Sequence, residues 1–470
     1  MASLSNTQEG SSRTPSVAEA FFRHSSGARV NTDAVIADSI QNAYPGVPIT
    51  IVPEYNANLQ GYSAAGFAST QANEPNSKAR TWPDSLKWTI FMPPFRRLDG
   101  GSGSLGELEL FQSFIYKWNN FEFLVYLVDG RDGAGSFPTI RNQYILGDTA
   151  AVRSLVRTVG QWQSQLHEEI WVFNSGYWAK DPNLYQSILR SRWDDVILEE
   201  SFKHDLLDTV ERFFGSEEQY QRLRVPWKRG IIFYGPPGNG KTISIKATMH
   251  SLYQRTPPVP TLYVKSLVSF APPEYSIEAI FAKARQEAPC YLVFEDLDSL
   301  VTDEVRSFFL NAVDGISDNQ GILMVGSTNH LERLDPGIAK RPSRFDRKYL
   351  FSNPNLDQRI QYNRFWQKKL KSNKDLEFPE EIVQAAAKIT HGFSFAYIQE
   401  AFVSALLDIA RDQDNENDIS LKLSQDWQML DLADEPVDSA MDLNDYILWR
   451  KLKLNIDNLR KQLEDGGDQD

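Results

Sequence analysis

Gly235-Pro236-Pro237-Gly238-Asn239-Gly240-Lys241-Thr242 decides the reading of this chain, because it fits the phosphate-cradling pattern G-x-x-x-x-G-K-[ST]. The apolar run Ile231-Ile232-Phe233-Tyr234 before it reads as a buried strand, and Ile243, Ile245, Ala247 and Met249 after it have helical spacing. Strand, loop and helix are the context the pattern needs. Glycines let backbone N–H groups wrap the phosphates, and the helix N-terminus adds the positive end of its dipole. Lys241 supplies a point charge, and the Thr242 hydroxyl is a Mg²⁺ ligand. The segment therefore predicts a site for ATP with Mg²⁺.

The rest of the composition narrows the class. The chain has 470 residues, 41% of them hydrophobic, which allows several packed domains. A formal net charge of −13 argues against a general nucleic-acid binder, so no nucleic-acid partner is expected. Cys290 is the only cysteine, so no intramolecular disulfide can form, and an intracellular compartment, cytoplasmic or mitochondrial, is expected. No apolar run is long enough to span a bilayer; the richest, Phe121 to Val128, has the length of a strand. The first thirty residues lack a secretory pattern. They are Ser-rich with Arg13, Arg23 and Arg29, but Glu9 and Glu19 speak against a transit peptide, and a disordered tail is expected.

Along the chain, residues 1–80 read as a mostly irregular N-terminal region, with helical spacing between Val17 and Ala43 and a loop over 54–82. Residues 81–192 read as an α+β accessory domain. Its strands are Leu86 to Phe91, Phe121 to Val128, Tyr144 to Leu146 and Ile170 to Phe173, with a helix over Ala150 to Leu166 and a turn at Gly100–Gly106. From 193 to 352 strands and helices alternate, the signature of a parallel sheet covered on both faces. Residues 353–411 turn helical, as a lid behind a Ser394 N-cap. Residues 412–470 read as an acidic linker and a C-terminal helix. The expected fold is α/β: a P-loop NTPase parallel sheet, a C-terminal helical lid and an N-terminal α+β accessory domain.

Two further strand ends carry chemistry. Tyr291-Leu292-Val293-Phe294 runs into Glu295-Asp296-Leu297-Asp298, carboxylates able to accept a proton or hold a metal-bound water. Gly326-Ser327-Thr328-Asn329 ends another strand, where the Asn329 amide can orient an attacking water. Leu334-Asp335-Pro336 and Arg341-Pro342-Ser343-Arg344-Phe345-Asp346-Arg347 follow it.

With these residues, the block from about Trp193 to Leu407 resembles an AAA ATPase module. The resemblance implies that Arg344 and Arg347 are arginine fingers, each reaching the γ-phosphate held by a neighbouring subunit, so that activity requires a homo-oligomeric ring. Ser343 stands where the family carries Gly. The family's usual acid order is Asp-Glu-x-Asp; here it is Glu-Asp-x-Asp. Asp298 fixes the register, placing Glu295 at the metal-associated position with Thr242, and Asp296 at the water-activating one. The exchanged pair, with Trp193-Asp194-Asp195-Val196-Ile197-Leu198 and Val225-Pro226-Trp227-Lys228-Arg229-Gly230, is similar to the subfamily of the mitochondrial AAA chaperone that inserts the Rieske protein during bc-complex assembly. That chaperone carries an N-terminal membrane span and this sequence shows none, so neither the membrane nor the Rieske client is carried over. Phe270 is the candidate for an aromatic central-loop residue, and His330 and His391 receive no role. The expected function is that of an ATP-hydrolysing machine that remodels or chaperones a protein client. The alternative is an ATP-gated scaffold or assembly factor with negligible hydrolysis.

Overall fold

The computed structural model describes residues 18, 23–24, 31–73, 85–94, 101–130, 141–269, 271–314, 318–341, 344–373, 376–423 and 443–466. Phe270, Pro342, Ser343 and the first seventeen residues lie outside them, and with them the central-loop and disordered-tail expectations. The chain divides into two compact units, Met1–Leu166 and His167–Asp470.

The first unit contains α1 (Thr32–Ala43), β1 (Ile49–Pro53), α2 (Leu59–Ala64), β2 (Ser69–Ala72), β3 (Leu86–Met92), β4 (Ser104–Trp118), β5 (Phe121–Asp129), β6 (Arg141–Leu146) and α3 (Thr149–Ser164). Its sheet is antiparallel in the order β1-β6-β5-β4-β2, with β3 also paired to β4. β4 and β5 meet in a hairpin that pairs Trp118 with Phe121, and Asn119 takes the positive φ of 51° that the tight turn requires. Alternating Phe114, Tyr116 and Trp118 join Phe123, Val125 and Leu127 on one face, where Val152, Leu155 and Val159 of α3 cover them.

Three sequence expectations change here. Residues 31–73 are not mostly irregular, and the loop expected over 54–82 contains α2 and β2 in its described part. β2 is exposed along its whole length, so no burial pattern marks it; the ladder to Phe114–Lys117 makes it a strand. The turn expected at Gly100–Gly106 gives way to β4 from Ser104 onward, because β3 supplies its ladder partners.

The second unit continues with β7 (Ile170–Asn174), β8 (Tyr177–Asp181), α4 (Pro182–Leu189), α5 (Glu200–Gly215), α6 (Glu217–Leu223), β9 (Lys228–Tyr234), α7 (Lys241–Tyr253), β10 (Thr261–Val264), α8 (Pro273–Glu287), β11 (Cys290–Phe294), α9 (Leu297–Leu300), α10 (Asp303–Asp314), β12 (Ile322–Thr328), α11 (Pro336–Ala339) and β13 (Arg347–Leu350). Its sheet runs β13-β9-β12-β11-β10-β7-β8, parallel throughout except for the β7–β8 hairpin. Both faces are covered, so the central strand β11 is buried at every position and β9 and β12 carry continuous apolar runs, residues 231–233 and 322–325. Ile231, Phe233, Val293 and Val325 pack with Ile245 and Met249 of α7 on one side. Ile232, Leu292, Phe294 and Met324 pack with Ile280 and Phe281 of α8 and Phe309 of α10 on the other.

The boundary expected at 192 is also corrected. β7 lies parallel to β10, with Trp171 opposite Leu262 and Phe173 opposite Val264, so residues 170–181 extend the larger sheet. Four helices follow: α12 (Leu356–Leu370), α13 (Glu380–Ile389), α14 (Phe395–Leu423) and α15 (Ile447–Gly466). The acidic stretch after residue 411 continues α14 rather than forming a linker. The last helix packs Trp449, Leu452 and Ile456 against Trp366, Ile382 and Phe402, so it belongs to the lid core. No helix among the described residues is long and apolar enough to cross a membrane.

Candidate functional site

The loop between β9 and α7 is built from backbone that side chains cannot follow. Gly238 and Gly240 have φ of 79° and 93°. A Cβ on Gly238 would lie 2.4 Å from Ala396 Cβ at the start of α14, whereas one on Gly240 would meet nothing nearer than Ile243 Cγ2 at 3.7 Å. The loop is thus packed against the lid at one glycine and open to the cleft at the other. The lid contact is reinforced by the Ala396 N–H, which donates to Gly238 O at 3.2 Å. Asn239, buried, donates from Nδ2 to Asn353 Oδ1 at 2.8 Å, and Asn353 Nδ2 donates to Gly392 O at 3.0 Å. These bonds tie the phosphate loop to the segment that enters the lid.

Lys241 Nζ donates to the carbonyls of Gly235 (2.6 Å) and Pro236 (2.9 Å). Burial pulls its pKa below the ordinary lysine value, while the nearby carboxylates of Asp296 and Asp298 push the other way. Its partners are neutral dipoles, which an anion of higher charge can displace.

A cleft of about 480 Å³ opens beside this loop. Pro237, Gly238, Gly240, Lys241, Thr242, Asp296, Ser327 and Asn329 line its phosphate end. Asp195, Val196 and Ile197 face Tyr362, Phe395, Ala396 and Gln399 at the other, so the stretch leading into the core and the lid form opposite walls. A volume of this size with mixed apolar and polar lining is that of a small-molecule site. Tyr362 and Phe395, with ring centroids 5.0 Å apart and edge to face, make that wall rigid.

The acidic segment divides its roles. Asp296 has φ of 50° at the end of β11, and its N–H donates to Ser327 Oγ at 3.3 Å, which aims the residue at the cleft. Asp298 accepts from Thr328 Oγ1 at 2.7 Å, and the same hydroxyl receives the His330 N–H, so the two strand ends are cross-braced. Glu295 does not line the cleft. Its Oε2 accepts a hydrogen bond from the Tyr263 hydroxyl, and its Oε1 is buried without a hydrogen-bond partner. Burial above all, helped by this bond, raises the Tyr263 phenol well beyond the usual range, so it stays a donor.

The structure thus brings together the loop 235–242, Asp296 and Asn329. Glu295 stands beside them, and the two arginines stand apart. Arg344 is only 6% exposed. Its Nε and Nη2 donate to the two Asp314 oxygens at 2.8 and 2.6 Å, and Nη1 donates to Gly337 O at 2.6 Å. This bidentate pair pulls the Asp314 carboxyl below its ordinary pKa. The finger expectation for Arg344 concerns a neighbouring subunit; within the single chain its guanidinium is turned inward, engaged by the carboxylate at the end of α10. Arg347 is exposed on the edge strand β13. Two groups escaped the sequence reading. Tyr263 carries no motif, and Tyr362 and Gln399 look like ordinary lid positions.

The parallel sheet, the phosphate loop and the adjoining acid fit a P-loop NTPase. More particularly, residues 231–353 match the model of the ATPase family associated with various cellular activities (AAA). The match supports an AAA ATPase, and the residues fit its usual pairing of ATP with Mg²⁺. The glycine loop is open to the cleft at Gly240, the lysine is hydrogen-bonded to backbone carbonyls, and Glu295 keeps one buried oxygen without a partner.

Proposed function

We propose that the chain hydrolyses Mg²⁺·ATP and works as a homo-oligomeric ring that remodels or chaperones a protein client. One observation carries the proposal: Lys241 and Thr242, Asp296, and Asn329, from three segments far apart in sequence, line one cleft. Thr242 and Glu295 would hold the metal, which when bound neutralises charge on the phosphates. Lys241 exchanges its loop carbonyls for phosphate oxygens, Asn329 orients the attacking water, and Asp296 accepts its proton. The exchanged acid pair supports placement near the Rieske-protein chaperone subfamily, without extending that protein's client to this chain.

The scaffold reading is favoured by a specific observation, the inward-facing Arg344, since a finger so engaged contributes nothing to turnover. Steady-state hydrolysis and particle mass, measured together with ATP, separate the two. The Asp296→Asn variant should keep ATP affinity and form the same ring while turnover falls about a hundred-fold or more. Normal turnover in that variant would reject Asp296 as the base, and a hydrolysing monomer would reject the ring.

A further inference from the structure

The two carboxylates at the end of β11 have unequal surroundings, and the inequality traces to β10. Tyr263 is paired with Val293 of β11, and it packs against the hydrophobic cluster that also holds Ile245 and Met249 of α7. Its ring therefore lies on the phosphate-loop helix side of the sheet and extends towards the end of the neighbouring strand, two residues beyond Val293, where Glu295 leaves it. There the hydroxyl donates to Glu295 Oε2, and Oε1 is left buried and unpartnered.

A glutamate has one more rotatable bond than an aspartate, and fixing that bond costs side-chain entropy whenever the carboxylate must hold one orientation. A donor on a rigid ring meets that cost in the folded state, before any ligand arrives. It also makes the two oxygens inequivalent, one engaged and one free.

We propose that Tyr263 is a positioning residue for nucleotide binding with Mg²⁺: its hydroxyl fixes the Glu295 carboxylate and leaves Oε1 as the oxygen available to the metal's ligand sphere. The proposal rests on the reading of Glu295 as the metal-associated acid. Tyr263 touches neither nucleotide nor metal. It acts through Glu295, in the way that outer partners orient metal-binding carboxylates generally.

The test uses Tyr263→Phe, which removes the hydroxyl and keeps the ring. Calorimetry with ATP is run in EDTA and again across a Mg²⁺ titration, alongside steady-state turnover. In the variant, the Mg²⁺ concentration that half-saturates the enhancement of ATP binding should rise about ten-fold and kcat should fall by a similar factor. Affinity in EDTA should not change. In a Glu295→Asp background, whose shorter carboxylate withdraws from the hydroxyl, Tyr263→Phe should cause no further loss in either readout. Equal Mg²⁺ dependence in wild type and Tyr263→Phe would overturn the proposal. So would the same loss in both backgrounds, or lost binding in EDTA, either of which marks Tyr263 as merely structural. If the wild type itself binds ATP without any Mg²⁺ dependence, the fault lies instead in the reading of Glu295 as metal-associated.

Discussion

Lys241 and Arg344 are both buried cations near the ends of parallel strands, yet they are neutralised in opposite ways. Lys241 rests on two backbone carbonyls, at 2.6 and 2.9 Å. Arg344 is clamped by a carboxylate through two parallel bonds, at 2.8 and 2.6 Å. Carbonyl dipoles hold an ammonium without a direct counter-ion, and the carboxylates of Asp296 and Asp298 act on it only from nearby, so an incoming triphosphate need displace no bonded anion. A bidentate carboxylate does cancel the charge, and a phosphate must displace one anion to reach the cation. The lysine is poised for a ligand; the arginine is committed to its own chain. Strand-end position alone does not decide which cation serves chemistry.

The largest effect that can break this contrast is expected at Arg347, the finger candidate that remains exposed. Arg347→Ala should slow hydrolysis by roughly 10³-fold with ATP affinity nearly intact, as arginine fingers do. Mixing it with Asp296→Asn subunits should restore part of the activity, because a competent site then sits beside an intact finger. No gain over the summed variants, with co-assembly demonstrated, would show that Arg347 does not act across a boundary. Next in size, Lys241→Ala should weaken ATP binding by about a hundred-fold, the cost of removing one partner of a desolvated charge contact. Unchanged affinity in calorimetry would mean the carbonyl-held lysine is not poised at all.

At Arg344 the expected effect is smaller and of a different kind. Arg344→Ala and Asp314→Asn should each destabilise the folded chain by about 2 kcal/mol, the worth of a charge-assisted hydrogen-bond set. Chemical unfolding monitored by tryptophan fluorescence reads this directly. Turnover sharpens the comparison: if Asp314→Asn hydrolyses faster than wild type, the pair is a latch on a finger rather than a permanent clamp.

The same contrast explains what the sequence made legible. The phosphate loop, the acidic strand end and Asn329 are local patterns flanked by apolar runs, and local patterns survive without knowledge of partners. Lys241 is recognisable because its role depends on the residues beside it. The engagement of Arg344 is not legible because it depends on Asp314, thirty residues earlier, and no spacing rule announces that return. Tyr263 was invisible for a similar reason: its meaning comes from lying beside β11, not from its own neighbours in sequence. β7 was recognised as a strand but assigned to the wrong sheet, since its partner β10 lies far along the chain. β2 is not legible as a strand because an exposed edge strand of Ser, Thr and Gln has no hydrophobic alternation to display.

The smallest expected effect concerns pH, and it tests whether Asp314 is ionised for structural reasons. The hydrogen bonds from Arg344, more than any other cause, hold its carboxyl below the ordinary aspartate value of 3.8 in the folded chain. On unfolding, that pKa returns to the ordinary aspartate range, so between the two values the unfolded chain binds more protons and stability rises with pH. The contribution is therefore complete above the unfolded value and is lost as pH falls through the folded one. Asp314→Asn has no proton to bind at this position. The stability gap between wild type and Asp314→Asn should be constant from neutral pH down to about 5, then narrow on further acidification as the wild type loses its charged partner. Urea midpoints measured for both proteins across that range would show it. A gap that stays constant to the lowest pH at which the wild type folds would mean that the bond to Arg344 is not what keeps Asp314 ionised, and the carboxylate clamp on the arginine would lose its electrostatic basis.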